Sequence, residues 1–528
     1  MAVRLMAVRL MAVIVCAILL ASCAAVGPDY KKPEADVLNQ WQAARDASVD
    51  SAAAEHRQWW KSFNDPVLDD LVQRAYSQNL SLQVAGLRVY EARALLGIAT
   101  GLLYPQSQGV NGSASTIKIS ENADPVTSLP PGVGDLVDTS YKRYGTSLDA
   151  AWELDFWGRF RRGVESADAG LAASVADYDE FLVTLTGEVA TSYILLRTLE
   201  ERLNFAEKNV AIQQRSLEIT DVRFRNGLVT ELDVQLARAL LGNTKSTIPP
   251  LKSGIRQTRL ALSLLLGLPP SDLQSIVGGR GDIPDSPQAI AVGIPADLLR
   301  RRPDIRRAEA LAAAQSARIG AVEAELYPSF RLIGTVGYAA GSSGDLFDSG
   351  SDFNLGAFGF SWKLLNYGRI RNQVRAEDAR YQQAALAYQN TVLNAAREVE
   401  SSLTSFLRSK ERVLTLADSV AASRRAVELA QTQYRDGIIS YTLVLDAQQF
   451  LLLNEDQFTA SRGEVARNLI ATYKALGGGW QMREGNDLIP ETIKTQMKDR
   501  TNWGGLLETG NTEPVAEEKR GAWRAPDF

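Results

Sequence analysis

The sequence predicts an α+β chain built from two tandem copies of one strand-and-long-helix unit, with two strands per copy. Three observations carry this expectation. Phe156-Trp157-Gly158-Arg159 recurs as Asn366-Tyr367-Gly368-Arg369, and Phe224-Arg225-Asn226-Gly227 recurs as Tyr434-Arg435-Asp436-Gly437, both 210 residues on. Residues 143–156 alternate with period two, the signature of a strand. Two stretches repeat an apolar residue at every seventh position, the signature of helices packed as a coiled coil.

The repeat comes first, because missing it misreads the fold. Leu103-Tyr104-Pro105 recurs as Leu326-Tyr327-Pro328, here 223 residues on, so the first copy carries about thirteen extra residues. The loop around 121–138, rich in Pro, Gly and Asp, is the expected place for them. The expected divisions are a signal peptide at 1–22, a first repeat at 23–267, a connector at 268–304, a second repeat at 305–480 and a polar tail at 481–528. That tail is expected to be partly ordered at best.

The chain starts with Arg4 and Arg9 ahead of an apolar run from Met11 to Ala21, a secretory signal too short to span a bilayer. Met1, Met6 and Met11 are all possible starts. The run ends in Leu20-Ala21-Ser22-Cys23, which resembles a bacterial lipobox, with Cys23 as the lipidated residue. Ala24 after it points to release to the outer membrane. No later stretch has about 18 consecutive apolar residues, so any further crossing must use strands.

Along 143–156, Tyr144, Thr146, Leu148, Ala150, Trp152, Leu154 and Phe156 share one face, and Arg143, Ser147, Asp149, Glu153 and Asp155 the other. Such a strand fits an apolar exterior and a wet lumen. Phe330, Leu332, Val336 and Tyr338 alternate likewise. In the last strand Phe353, Leu355 and Ala357 lie on one face, then Phe358, Phe360, Trp362 and Leu364 on the other, which predicts a bulge near Ala357. The strand starting near Gln106 rests on symmetry. Four strands cannot close a barrel and an open edge cannot sit in lipid, so the strand count demands an oligomer.

The helical heptads are Val189, Leu196, Leu203, Val210, Leu217, Phe224 and Val399, Phe406, Val413, Val420, Val427, Tyr434. They predict two helices of about 50 residues, roughly 75 Å long. Ser402, Ser409, Leu416, Ser423 and Ala430 make the next seam too thin for a thick core, which suits helices arranged around a space. Gly227 and Gly437 provide left-handed caps, and Thr230 and Ser440 can cap the returning helices. Leu228, Val229, Ile438 and Ile439 at these hairpin tips read either as a binding surface or constriction, or as simple hairpin packing.

A net charge of −5 gives no basic footprint for nucleic acid. The one histidine, His56, excludes His-based metal sites and Ser-His or Cys-His catalysis, and is itself expected to be a solvated surface residue. Cys16 and Cys23 allow no internal disulfide framework. No catalytic or metal-ligating constellation appears, and no cofactor is expected beyond the covalent lipid on Cys23.

The lipobox, Val26-Gly27-Pro28-Asp29-Tyr30-Lys31-Lys32-Pro33, Trp59-Trp60, Phe63-Asn64-Asp65-Pro66, Arg301-Arg302-Pro303-Asp304-Ile305, residues 152–159 and 434–437 together resemble a NodT-type outer-membrane factor of the TolC-like efflux family. The resemblance runs from Cys23 to about Trp480. It implies a homotrimer with a twelve-stranded barrel in the outer membrane and a helical tunnel in the periplasm. It also implies a periplasmic adaptor and an inner-membrane pump, often of the RND type. The adaptor would meet the tips at Gly227, Leu228, Val229, Gly437 and Ile439. Ile438, Thr442 and Asp446, with Tyr434 nearby, would form the periplasmic gate, three Asp446 carboxylates then surrounding one axis. The second hairpin, with Asp436, Thr442 and Asp446 where the first has Asn226, Leu232 and Leu236, is expected to do more of the gating. The implied role is a passive exit duct for small molecules. The alternatives are a type I protein-secretion duct of the same fold and a structural coiled-coil envelope lipoprotein.

Overall fold

Alternation dictates strands, and long heptads dictate helices; the chain obeys both. The computed structural model describes residues 25–46, 48–50, 56–120, 139–287, 289–293, 295–297 and 301–508. Cys23, the signal peptide and the expected 121–138 insertion lie outside them. In chain order the elements are β1 (Val49–Asp50), α1 (Pro66–Gln78), α2 (Leu80–Gly101), β2 (Ser107–Lys118), β3 (Ser140–Leu154), α3 (Arg159–Arg225), α4 (Glu231–Leu265) and α5 (Gln274–Val277). There follow β4 (Ile290–Ala291), α6 (Pro303–Glu323), β5 (Ser329–Ala340), β6 (Asp352–Ser361), α7 (Arg369–Arg435), α8 (Tyr441–Ala475) and α9 (Glu491–Arg500), with short 3-10 turns between.

The sheet runs β2-β3-β5-β6, antiparallel throughout, and among the described residues an edge of both β2 and β6 has no partner strand. Register places Val110, Leu148 and Val336 side by side on one face, with Trp152, Leu332 and Phe358 below them. The other face is wet: Asp149 accepts from Asn111, Ser147 and Thr335 at 2.6–2.8 Å, and Arg331 reaches Glu153 at 3.3 Å. The expected bulge near Ala357 is not there. β5 and β6 pair without interruption from Ser329↔Ser361 to Tyr338↔Asp352. The apparent switch arises because β6 carries apolar residues on both faces, Phe358 and Phe360 on one and Phe353 and Leu355 on the other.

The duplication is a structural repeat. α3 and α7 are each 67 residues and α4 and α8 each 35. The expected length of about 50 was too short: the series continues from Val189 through Leu182 and Val175, and from Val399 through Val392 and Ala385, toward the strands, and 67 residues reach roughly 100 Å. Toward the sheet α2 packs on α3, α3 on α6 and α6 on α7; toward the tips the order is α4, α3, α8, α7. Each copy therefore adds two helices to a single layer.

At the strand–helix junction the repeat motifs meet. The Trp157 indole donates to the Pro328 carbonyl at 2.8 Å and stacks on Tyr327 at 4.7 Å. Gly158 and Gly368 take φ of 77° and 81°, turning strand into helix in a conformation that favours glycine.

A belt of large side chains wraps the helices midway, with Trp41, Trp59, Trp60, Phe63, Leu68 and Leu71 all buried. Asp65 caps α1 through Val67 N and Leu68 N and also accepts from the Tyr193 hydroxyl at 2.7 Å. Asp179 of α3 lies fully buried between Arg483 and Arg306, both at 2.7 Å, and Arg306 stacks on Trp480 at 4.3 Å. The segment after Trp480 therefore returns to the core, where Leu488, Ile489, Met497 and Leu507 are buried.

His56 is not solvated: it is 8% exposed, with its ring 5.3 Å from Tyr473. Polar neighbours in the sequence hid a residue that the belt covers. Burial, aided by the nearby Arg301 charge, holds its pKa down from 6.5 to about 4. A base held neutral by the fold stabilises it above pH 6.5 and loses that contribution as pH falls toward 4. The expected loss across that window is about 3 kcal/mol. Unfolding curves at stepped pH should show it, and His56→Gln should flatten the profile; an unchanged slope would refute the assignment.

Candidate functional site

Two places concentrate unusual local structure: the hairpin tips and the strap that precedes α3 in sequence. At the tips both α3 and α7 close with a Schellman motif. Leu228 N bonds Arg223 O at 2.9 Å and Gly227 N bonds Phe224 O at 2.9 Å; Ile438 N to Gln433 O and Gly437 N to Tyr434 O repeat the pattern. Gly227 and Gly437 have φ of 70° and 79°, as the left-handed cap requires. The caps of the returning helices differ. Asp233 accepts from both the Thr230 amide and hydroxyl at 3.0 Å. Ser440 makes no side-chain cap, and Leu443, the residue equivalent to Asp233, cannot supply the reciprocal bond.

A small apolar core, separate from the main one, joins the two tips: Ala237, Ala430, Tyr434, Tyr441 and Val444, with Val229 and Ile439 half-buried against it. Tyr434 is 4% exposed, 5.4 Å from Tyr441 edge-on, whereas its repeat mate Phe224 is 39% exposed. Burial pushes the Tyr441 phenol up to about 12. Leu228 and Ile438 stand out from this core at 66% and 70% exposure. Thr442 and Asp446 are exposed one turn apart on α8. Ile438, Thr442 and Asp446 thus share the open surface, and Tyr434 lies beneath it.

Arg223 was not singled out by the sequence reading. It donates to the Tyr434 and Arg435 carbonyls at the end of α7, the latter at 3.1 Å, and its guanidinium sits 4.7 Å from the Tyr434 ring centroid. It is the last member of a polar series on α3 spaced by seven, Arg202, Asn209, Ser216 and Arg223. Arg202 grips Asp456 at 2.7 and 3.0 Å, Asn209 donates to Glu455 at 2.7 Å, and Ser216 accepts from Gln448 at 2.6 Å. Above them Arg462 bonds Glu201 at 2.9 Å. The α3–α8 seam joins the first hairpin to the second through polar rungs, while the apolar heptads bury themselves elsewhere. That spacing was legible in the sequence, but a search for apolar periodicity passes over it.

The strap starts where the strands end. Val26 N bonds Trp157 O at 3.0 Å, and Arg162 holds Val26 O, Gly27 O and Asp29. Gly27 has φ of 91°, and a Cβ there would fall 2.3 Å from Gly320 Cα. A Cβ on Gly158 would meet Ala25 at 2.4 Å. The strap then descends beside α6 and α7, with Lys32 on Glu309 at 2.6 Å and Gln42 N on Glu400 at 2.6 Å. Among the described residues no helix is long and apolar enough to cross a membrane, and no group of three metal-ligating side chains gathers.

With this geometry in hand, the likenesses to known proteins are consistent with one another. The pyoverdine export outer membrane protein OpmQ of Pseudomonas putida is 32% identical over 442 residues, 84% of this chain and 92% of that one. Nodulation protein T of Rhizobium leguminosarum bv. trifolii is 30% identical over 466 residues, 88% of this chain and 96% of that one. The solved structure of the outer-membrane channel OprN superposes with a TM-score of 0.79 at 33% identity, covering 87% of this chain and all of that one. The outer membrane efflux protein family matches residues 71–268 and 294–478, most of both repeats, and the chain belongs to that family.

Proposed function

We propose that this chain is the outer-membrane exit duct of a tripartite efflux system, working as a homotrimer and passing small molecules without chemistry of its own. The observation that carries the reading is the sheet: four antiparallel strands, one face on which Val110, Leu148, Val336, Trp152, Leu332 and Phe358 adjoin, a hydrogen-bonded polar cluster around Asp149 on the other, and an open edge at each side. Three copies of four strands supply the twelve that the implied barrel needs, and joining β6 of one copy to β2 of the next removes every edge. The layer of long helices continues the tube into the periplasm. The exposed Leu228 and Ile438 at its far end suit contact with a periplasmic adaptor, and the energy comes from an inner-membrane pump of the RND type. The names of the relatives range from pyoverdine export to nodulation, so the cargo does not follow from them.

Cys23 is the proposed lipid anchor in this reading. It precedes Ala25 by two residues, which span at most about 7 Å, and Ala25 abuts Gly158 at the strand–helix junction. The same level carries Trp157, Tyr327 and Trp362, the aromatic residues favoured at a membrane–water interface. A lipid on Cys23 would enter the leaflet beside the base of the sheet.

Purified protein tests the reading directly. It should run as a trimer in mild detergent and produce discrete ion-conducting steps in planar bilayers. A stable, non-conducting monomer would overturn it, and a trimer that never conducts would favour a structural envelope role.

A further inference from the structure

The long helices carry the belt on one face. There Tyr193 reaches Asp65, Arg197 reaches the Val277 carbonyl, Tyr473 stacks on Trp59 and Arg462 holds the Ile283 carbonyl. The face turned away from the belt opens into a cavity of about 980 Å³, bordered by α3, α4, α7 and α8 together. In the exit-duct reading this is the lumen face, since a belt of that bulk on the inside would fill the tube.

Charge gathers in this cavity. Arg408 and Arg412 of α7 and Arg467 and Lys474 of α8 line it, against two carboxylates, Glu188 and Glu464. Arg408 is held by Glu411 at 2.6 and 2.9 Å, and Arg412 by Glu464 at 3.3 Å. Among the described residues no carboxylate pairs with Arg467 or Lys474. A Cβ on Gly187 would stand 3.4 Å from Lys474 Cδ, so α3 is bare where the lysine stem crosses it. The stem lies along the wall, and Lys474 remains exposed.

Folding does not require these cations. The first repeat builds the same helices with Thr198 in the place of Arg408, Gln257 in that of Arg467 and Leu264 in that of Lys474. Leu264 lines the same cavity. On α8 the series Asp446, Leu453, Ala460, Arg467, Lys474 recurs every seven residues. The stripe that bears an acid near the tip therefore turns basic about 30 Å higher.

We propose that this cavity is a station for anionic cargo, small organic molecules with two or more carboxylate or similar acidic groups, to which the Arg467 guanidinium and the Lys474 ammonium donate. A guanidinium fork meets a carboxylate with two parallel bonds, and the ammonium adds a point charge beside it. Arg408 and Arg412, already engaged by carboxylates, add positive field. The volume admits a drug-sized molecule. Three copies would set three such stations at one level of the lumen. The proposal rests on the exit-duct reading and adds the chemical class of the cargo.

Planar-bilayer recording of the full-length trimer tests it, with citrate as the probe, added from the barrel side so that it need not pass the tips. Citrate should interrupt the current reversibly. R467Q/K474L, which installs the first repeat's residues, should raise the half-blocking concentration by about tenfold or more, as the loss of bonds between charged groups implies. R467K should keep most of the block. R280Q removes an arginine bonded to Glu207 on the belt side and should leave the block unchanged. If the double variant yields no trimer, K474L alone, at an exposed position, should weaken the block several-fold. A conducting trimer that citrate does not block, a block that R467Q/K474L or K474L leaves intact, or an equal loss in R280Q overturns the anion station. A protein that forms no conducting trimer removes the exit-duct reading, and the station with it.

Discussion

Replacing Asp179 with alanine is expected to cost about 3–5 kcal/mol of folding stability, because it takes this carboxylate from the buried Arg483 and the half-buried Arg306. Asp179 is fully buried and holds Arg483 and Arg306, each at 2.7 Å. These three residues come from the long helix α3, the start of α6 and the segment after α8. One carboxylate therefore joins both repeats to the C-terminal return. Denaturant unfolding followed through tryptophan emission would measure the loss, with Trp480 stacked on Arg306 as a local reporter. Limited proteolysis should release the 480–508 segment earlier than in the parent. A loss below about 1 kcal/mol would show that the site is wetter than its burial implies. Replacing all three residues with apolar ones of similar volume should recover much of the deficit, since a filled apolar site rivals a buried ion pair.

Leu148→Arg is expected to cost about 2–4 kcal/mol of membrane stability, the penalty for a cation on the lipid face near mid-bilayer. Leu148 lies between Val110 and Val336 on the apolar face of the sheet. Its neighbour Asp149 points the other way, into hydrogen bonds with Asn111, Ser147 and Thr335. Substituting one residue and then the next gives a control for position along the strand. Folded protein recovered from outer membranes should collapse for Leu148→Arg and fall far less for Ser147→Arg on the polar face. Equal losses at the two positions would mean that the sheet is not lipid-facing on this side.

The architecture was legible because each element carries a period. The 210-residue repeat, the alternation from Tyr144 to Leu154 and the heptads of α3 and α7 are local signals that tertiary structure only had to respect. The errors have one physical source, the partner that sequence does not display. His56 sits among polar neighbours, and only the folded belt buries it. The paired faces of β6 look like a bulge until β5 supplies the register. The upper halves of α3 and α7 face more neighbours, α3 packing on α2 and α6 and α7 on α6, which a single seven-residue series does not display. At the tips, the exposed Ile438, Thr442 and Asp446 could be named from motif. Arg223 could not, because its partners are main-chain carbonyls, which leave no residue type to search for. Its repeat mate, Gln433, lacks the charge.

The strap has a consequence for the order of folding. It precedes its partners along the chain. Arg162 lies 133 residues beyond Asp29, and Glu400 lies 358 beyond Gln42. Contacts so distant in sequence form late, because loop-closure entropy must be overcome before they give any return. The strap cannot take its final place until most of the second repeat has been made. Docking the strap against Gly158 of the first repeat and Gly320 of the second would then record that both repeats have folded.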